Sequence, residues 1–251
     1  MLKAITRAVS PSMEACELTF LKREPINIAR AQEQHEMYED CLRELGVNVS
    51  SLPAEPVFPD AVFVEDAAIV LDELAVMTRL GAVSRRGESA SLARALEPYR
   101  TLSWMAEPAT MDGGDVLLAG KTLYVGVTAR SNAAGIAQLA SVVESFGYHV
   151  QPVVVHGCLH LKSACSYIGD AVVVYRPFLD VAAFAGLPLV DVPEESGANV
   201  LDVGGTVLVA STAPQTAELL SKMGRRVRVL DNSELMKAEG ALTCCSLLFR
   251  V

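Results

Sequence analysis

The sequence has no apolar segment long enough to cross a membrane as a helix. Charged residues, or His, Gln and Pro, interrupt every candidate before it reaches the roughly 18 residues that a spanning helix needs. The N-terminal residues 1–9 contain neither a continuous apolar stretch nor a small-residue cleavage site, so they do not resemble a signal peptide. We therefore expect a soluble, cytoplasmic protein.

The motifs of common metal and nucleotide sites are also missing. His156, Cys158 and His160 place imidazole and thiol ligands at alternate positions, but no Cys-x-x-Cys pair accompanies them, so we do not predict a structural zinc site. The pairs Gly113–Gly114 and Gly204–Gly205 lack the further Gly and Lys that cradle a phosphate. Dinucleotide and P-loop sites are therefore not expected.

The sequence contains fewer basic than acidic residues. The sequence has 21 Lys and Arg against 30 Asp and Glu, and the net charge of −9 opposes binding to nucleic acid or anionic membrane while favouring a cationic small molecule. The six cysteines are predicted to be reduced thiols, because no secretory signal accompanies them. Hydrophobic residues make up 51% of the 251 residues, which predicts one packed domain over residues 1–251. The composition leaves the oligomeric state open, a homodimer included.

Hydrophobic spacing predicts an α/β protein. Apolar residues three or four apart, often followed by glycine, predict helices over Ile28–Leu45, Ser89–Tyr99, Ser131–Phe146 and Pro214–Met223. Short runs rich in Val, Ile and Leu predict strands at Ala61–Val64, Ala67–Leu71, Ala75–Thr78, Val116–Leu118, Thr122–Val125, Val150–Val155, Ala171–Tyr175, Val200–Val203, Thr206–Val209 and Val227–Leu230. The glycine-flanked segment Leu80–Gly87 is predicted to be an exposed loop.

The predicted elements recur along the chain. The order strand, strand, helix, strand returns at intervals of roughly 40 to 50 residues, a period typical of blade-like repeats. The repeats are anchored near Val64, Gly113, Leu161, Val200 and Cys244. A five-fold array fits this spacing, and an ordinary α/β sandwich also remains open because the repeats match in pattern only.

Acidic residues stand beside two of the predicted strands. Asp60, Glu65 and Asp66 flank one apolar run, where burial would be costly unless the carboxylates met a cation or a set of hydrogen-bond donors. Asp112 and Asp115 flank two glycines that allow close approach of the backbone, although a tight turn explains this motif equally well. These acids are candidates for binding a cationic group.

A histidine and a cysteine complete the candidate chemistry. His160 lies in Leu159–Ser163, and Cys244 lies in Gly240–Ser246, close to the C-terminus. Taken singly, each is more often a packed core residue than a reactive one. Only their combination with the acids indicates catalysis.

Several of these segments, in this order, resemble the dimethylarginine dimethylaminohydrolase family. The matching segments are Phe63–Asp66, Ser84–Arg86, Asp112–Leu117, Thr128–Arg130, Leu159–Ser163 and Leu242–Ser246. The likeness extends from about Leu18 to the C-terminus. It implies the pentein fold, a five-bladed α/β propeller of ββαβ modules with pseudo-five-fold symmetry and the active site on its axis.

The resemblance also implies a role for each candidate residue. Cys244 would be the nucleophile, His160 the proton-transfer group, and Asp112 the carboxylate that orients the histidine. Substrate binding would involve Leu18, Asp60, Glu65, Asp66, Arg85, Arg130 and Ala238, with the two arginines on the α-carboxylate. No metal or organic cofactor would be required.

The reaction implied is hydrolysis of Nω-methylated and Nω,Nω-dimethylated L-arginine to citrulline through a covalent thiouronium adduct on Cys244. Two alternatives remain at this stage. An arginine deiminase or another guanidino hydrolase of the same superfamily would use the same residues and release ammonia. A non-catalytic module that binds cationic amino acids would form neither adduct nor product.

Overall fold

The chain forms short strands and helices that alternate over its whole length. A computed structural model describes residues Met1–Val251. The helices are α1 (Ile28–Glu44), α2 (Ser89–Leu96), α3 (Ala133–Val143), α4 (Leu161–Ala164), α5 (Pro214–Lys222) and α6 (Ser233–Met236). The strands are β1 (Leu2–Arg7), β2 (Asn48–Leu52), β3 (Ala68–Val70), β4 (Leu74–Met77), β5 (Thr101–Trp104), β6 (Val116–Ala119), β7 (Thr122–Val127), β8 (His149–Val154), β9 (Cys165–Tyr167), β10 (Val172–Val174), β11 (Leu189–Asp191), β12 (Leu201–Val203), β13 (Thr206–Ala210), β14 (Arg226–Leu230) and β15 (Leu247–Arg250).

These strands form five three-stranded sheets of one design. In each sheet the middle strand pairs antiparallel with one neighbour and parallel with the other. The modules are β3-β4-β5, β6-β7-β8, β9-β10-β11, β12-β13-β14 and β15-β1-β2, which we number one to five. Because a parallel pair needs a crossover, an α-helix joins the last two strands in four modules, and two 3-10 turns replace it in module three.

The core is divided among the modules and shows that they form a closed ring. Five clusters of buried apolar side chains lie between modules one and two, two and three, three and four, four and five, and five and one. The last junction exists because β15 pairs with β1, so Ile5 and Phe249 pack against Leu92 of module one. The five-fold array predicted from sequence is therefore confirmed.

Most predicted elements are found within a few residues of their expected bounds. Six strands were not predicted, namely β1, β2, β5, β9, β11 and β15. The strand predicted at Ala61–Val64 is wrong: the segment is a turn that leads into a 3-10 helix, Val64–Ala67. The exposed loop predicted at Leu80–Gly87 is wrong for Arg85, which is 4% exposed in a 3-10 helix, because buried carboxylates surround it. No helix has the length and apolar character to cross a membrane.

Candidate active site

A short helix precedes the first strand of each module, and these turns carry the candidate catalytic residues. Asp66 lies in the 3-10 helix Val64–Ala67, and Asp112 precedes Gly113–Asp115. His160 is the N-cap of α4, and Cys244 is the middle residue of the 3-10 helix Thr243–Cys245. Since the modules form a ring, their equivalent turns come together at one end of its axis.

His160 is enclosed by carboxylates. Its Nε2 lies 3.0 Å from Oδ2 of Asp112, and its Nδ1 lies 3.8 Å from Oδ1 of Asp66. Asp115 holds the next residue, because its Oδ1 accepts the backbone N–H of Leu161 at 2.9 Å. Burial alone lowers the pKa of His160, but Asp66, Asp112 and Asp115 outweigh it and raise that pKa to about 9. The imidazole is therefore a cation at neutral pH.

Two glycines make this close packing geometrically possible. A Cβ on Gly114 would lie 2.6 Å from Nδ1 of His160 and 2.8 Å from Oδ1 of Asp66. A Cβ on Gly113 would lie 2.0 Å from the carbonyl oxygen of Glu65. The pair is thus needed for close approach of backbone to the histidine, beyond the formation of a turn.

The two adjacent cysteines have different surroundings. Cys244 is 9% exposed and lines the same small cavity as His160, whereas Cys245 is 1% exposed and donates its thiol hydrogen to the carbonyl of Ala241. Burial first, and then the charges of Glu65 and Asp66, raise the pKa of Cys244 well above its ordinary value. The unliganded protein therefore carries a neutral thiol at Cys244 beside a cationic imidazole.

Arg85 is a fully engaged cation. Its Nε and one terminal nitrogen donate to the two oxygens of Glu88 at 3.0 and 2.9 Å, and its other terminal nitrogen donates to Asp66 at 2.8 Å. Burial alone lowers the pKa of Arg85, but Glu88 and Asp66 raise it overall. Burial raises the pKa of Glu88 to about 7 although Arg85 opposes the shift.

Arg130 has far fewer partners. One terminal nitrogen donates to the hydroxyl of Thr19 at 3.1 Å. The other, NH1, is buried without a hydrogen-bond partner and lies 3.5 Å from Oδ2 of Asp112. Unlike Arg85, this guanidinium has a donor available for a ligand.

Glu239, which lines the enclosed space, also holds a segment near the N-terminus beside it. The carboxylate of Glu239 accepts the backbone N–H groups of Thr19, Phe20 and Leu21 at 2.5 to 3.1 Å. The enclosed space measures about 10 Å³, room for about one water molecule. The enclosed space alone is therefore too small for an amino acid the size of arginine.

The structure brings together most of the residues singled out in the sequence. Those that line the enclosed space are Asp60, Asp66, Arg85, Arg130, His160, Ala238 and Cys244, and Asp112 lies directly behind His160. Leu18 and Glu65 do not line it. Leu18 is half-buried and packs against an apolar cluster, and Glu65 bonds Lys162 at 2.6 Å and the Thr243 hydroxyl at 2.8 Å.

Several neighbours of these residues were not found from the sequence. Glu88 fixes Arg85, Glu239 holds the segment near the N-terminus, and Asn199 contacts Thr243 beside the nucleophile. Only for Asn199 did the sequence carry a signal, because the repeat placed its neighbour Val200 at a position equivalent to Cys244. A separate cavity of about 370 Å³ borders the site through Leu159, Glu239 and Gly240.

One group of side chains has the geometry of a metal site. Ligand atoms of Asp66, Asp112 and His160 lie within 4.8 Å of one another. A cationic imidazole has no lone pair to give, so an ion there would have to displace the proton that the acids stabilise. The carboxylates of Asp66 and Asp112 could bind an organic cation as well as they could bind a metal ion.

The sequence of the whole chain matches known proteins. Residues 9–175 match the family described as N,N dimethylarginine dimethylhydrolase, eukaryotic. A Streptomyces coelicolor protein named N(G),N(G)-dimethylarginine dimethylaminohydrolase is 40% identical over 99% of this chain and 97% of its own. A Pseudomonas aeruginosa protein of the same name is 32% identical over 88% and 89%. The chain belongs to the dimethylarginine dimethylaminohydrolase family.

Solved structures agree with this assignment. A dimethylarginine dimethylaminohydrolase variant, crystallised as its adduct with S-methyl-L-thiocitrulline, has a TM-score of 0.94 at 30% identity and covers 98% of this chain. A Pseudomonas aeruginosa enzyme variant in complex with citrulline has a TM-score of 0.92. The N-terminal domain of a cyanobacterial arginine dihydrolase, 20% identical with a TM-score of 0.84, shares the fold. The fold is thus the five-module α/β propeller of the penteins.

Proposed function

We propose that this protein hydrolyses Nω-methylated and Nω,Nω-dimethylated L-arginine to L-citrulline and methylamine or dimethylamine. The observation that carries the proposal is the enclosure of Cys244, cationic His160 and Asp66 around one space. Relatives named for this activity cover nearly the whole chain. Two solved relatives hold S-methyl-L-thiocitrulline or citrulline.

In the proposed mechanism, a guanidinium binds against Asp66 and lowers the pKa of the Cys244 thiol. A unit charge a few ångströms away is worth about 4 kcal/mol at an effective dielectric near 20, or roughly three pKa units. The thiol proton leaves to solvent, and the thiolate attacks the guanidinium carbon. His160 then gives its proton to the departing amine, which leaves a thiouronium adduct on sulfur.

The second half of the reaction uses the neutral imidazole that the first half produces. His160 takes a proton from water, and the resulting hydroxide attacks the thiouronium carbon. The carbon–sulfur bond breaks as the new hydroxyl group loses its proton to solvent, which releases citrulline and restores the thiolate. Asp112 holds the imidazole in place through both proton transfers, because its Oδ2 stays 3.0 Å from Nε2.

The remaining candidate residues would bind the amino-acid end of the substrate. Arg130 offers its unpartnered NH1 to the α-carboxylate. Asp60 and Ala238 line the same space, where Asp60 would face the α-amino group. Leu18 lies outside it and would contribute a backbone carbonyl to the amino-acid end of the substrate. We propose that Glu65 acts from behind the nucleophile, where it contacts Thr243. Residues 1–251 would form one catalytic domain, and unpaired cysteines throughout the chain are in keeping with a cytoplasmic location.

The test compares citrulline release from arginine, monomethylarginine and dimethylarginine. We expect turnover of the methylated substrates. Turnover of arginine alone would contradict the proposal and favour a deiminase, and a complex without adduct or product would indicate a binding protein.

The matched pair Cys244→Ser and Cys245→Ser identifies the nucleophile. We expect no turnover from Cys244→Ser, because a hydroxyl lacks the nucleophilicity and leaving ability of a thiolate. Cys245→Ser should remain active, since its thiol faces Ala241. The opposite result would assign the chemistry to Cys245.

A further inference from the structure

The turn that carries the nucleophile is weakly held by its own backbone. Within the 3-10 helix Thr243–Cys245, the closing hydrogen bond from Ser246 N–H to the Thr243 carbonyl is 3.5 Å long. Such a bond contributes little at that distance. Side chains from other modules must therefore keep Cys244 in place.

Asn199 supplies most of that support through a single amide. Its Oδ1 accepts the backbone N–H of Thr243 at 3.1 Å, and its Nδ2 donates to the Thr243 hydroxyl at 3.0 Å. The same Nδ2 also donates to the carbonyl of Lys162 at 2.9 Å. Asn199 is 5% exposed, so water does not compete for these bonds.

These bonds join the two segments that carry the reacting groups. Thr243 immediately precedes Cys244, and Lys162 lies two residues after His160. Glu65 completes the connection, because it accepts from the Thr243 hydroxyl at 2.8 Å and from the Lys162 ammonium at 2.6 Å.

Asn199 occupies a position in module four that corresponds to the positions of the candidate catalytic residues in the other modules. Modules one, two, three and five supply Asp66, Asp112, His160 and Cys244 from the segment before their first strand. In module four that segment supplies neither a residue that lines the enclosed space nor one that contacts His160 directly. Asn199 stands directly before Val200, at the equivalent position.

We propose that Asn199 is a positioning residue for catalysis, which sets the place of Cys244 relative to His160 through Thr243 and Lys162. The proposal rests on the hydrolase function given above. It predicts a loss in the chemical step without a loss in binding, because Asn199 lines the neighbouring cavity of about 370 Å³ and not the enclosed space beside Cys244 and His160.

The first test is steady-state kinetics of Asn199→Ala with dimethylarginine. We expect kcat to fall about a hundredfold, the scale of a 1 Å misplacement of reacting groups, while KM stays within about twofold. Asn232→Ala is the matched control, since Asn232 is 4% exposed and its Oδ1 has no hydrogen-bond partner. This control should keep wild-type kcat. A kcat for Asn199→Ala within about twofold of wild type, or a change confined to Tm, would overturn the proposal.

A second pair of variants covers the case in which Asn199→Ala does not fold. Thr243→Val keeps the side-chain volume and loses the hydroxyl, and Thr243→Ser keeps the hydroxyl. Thr243→Val should lose kcat and Thr243→Ser should recover most of it. Where Asn199→Ala folds, the Asn199→Ala and Thr243→Val effects should not add, because both remove the bond between the same two groups. Full activity in Thr243→Val, or additive effects, would contradict the proposal.

Alkylation of Cys244 tests the positioning role of Asn199 independently of the proposed hydrolase function, because the reaction with iodoacetamide needs no turnover of substrate. We expect iodoacetamide to modify Cys244 severalfold faster in Asn199→Ala than in wild type or Asn232→Ala, because the turn is released. If wild type fails to turn over methylarginine but this difference remains, the function is wrong and the positioning role stands. Equal alkylation rates in all three would overturn the positioning role.

Discussion

The two arginines of the site differ in how their charge is balanced. Arg85 is surrounded by Glu88 and Asp66, which accept its hydrogen bonds at 2.8 to 3.0 Å. Arg130 donates one hydrogen bond to Thr19, and its buried NH1 lies 3.5 Å from Asp112 without a hydrogen bond. A guanidinium that is already paired with acids offers little to a second anion, whereas an unpaired donor gains strongly from one. We therefore propose that Arg130 binds the substrate carboxylate, and that Arg85, which was also predicted to bind it, mainly holds Asp66.

The largest effect that tests this comparison should come from Arg85→Ala. Removal of Arg85 leaves Glu88 and Asp66 buried without their cation, and breaking a buried pair in this way costs about 3–5 kcal/mol. Urea unfolding of Arg85→Ala and Arg130→Ala would measure the difference. Arg130→Ala should lose only about 1–2 kcal/mol, because it removes one hydrogen bond to Thr19 and one longer contact with Asp112, whose charge His160 still balances. Equal losses in the two variants would refute the assigned difference.

The next effect is on substrate affinity. Arg130→Ala should raise KM for dimethylarginine roughly 10- to 100-fold, the value of a charge-assisted hydrogen bond to a carboxylate, with a smaller change in kcat. Kinetics with a substrate analogue that lacks the α-carboxylate provide the control. Wild type and Arg130→Ala should handle this analogue alike. An unchanged KM for dimethylarginine would show that Arg130 does not contact the substrate.

The smallest expected difference between wild type and Arg130→Ala is in the pH profile, which His160 sets. The pKa of His160 is raised from its ordinary value of 6.5 to about 9. The folded protein therefore binds this proton more tightly than the unfolded chain does. The resulting stability is fully present below pH 6.5 and is lost as the pH rises through about 9.

Turnover should fall as the pH rises through about 9, because neutral His160 has no proton for the leaving amine. In Arg130→Ala, loss of the cation beside Asp112 should move this basic limb upward by less than about one pH unit. Arg130→Lys keeps a cation and should leave the limb in place. A downward shift in Arg130→Ala would contradict the charge arrangement.

Helices were predictable where one face is buried and the other exposed, as in the helix over Ile28–Glu44. The middle strands β4, β7, β10 and β13 were predictable for another reason, since they are buried along most of their length and form continuous apolar runs. The strands that were missed include β2 and β5, which are short and half-exposed at sheet edges. Their position comes from pairing with β1 and β4, and local sequence carries little of that information.

The candidate residues themselves followed from the sequence, through their order and spacing in recognisable segments. The partners and the burial of these residues could not be predicted from the sequence. The sequence gives no sign that Arg85 is paired with Glu88, since Arg85 and Arg86 stand in a glycine-flanked segment that is typical of an exposed loop. Nor does it reveal that Glu65 turns toward Thr243, 178 residues away along the chain.

The sequence by itself predicted a repeat of about 40 to 50 residues, the order of strands and helix within it and, through the resemblance to a known family, the set of candidate residues, because these depend on local hydrophobic period and on short motifs. Only the tertiary structure decided which charges meet. Closure of the ring through β1 and β15 places Asp66, Asp112, His160 and Cys244 together from four different modules. A displacement of a few ångströms would decide whether each carboxylate contacts a histidine, an arginine or a threonine. In a low-dielectric interior, these distances and the degree of burial then set the pKa of each ionisable side chain.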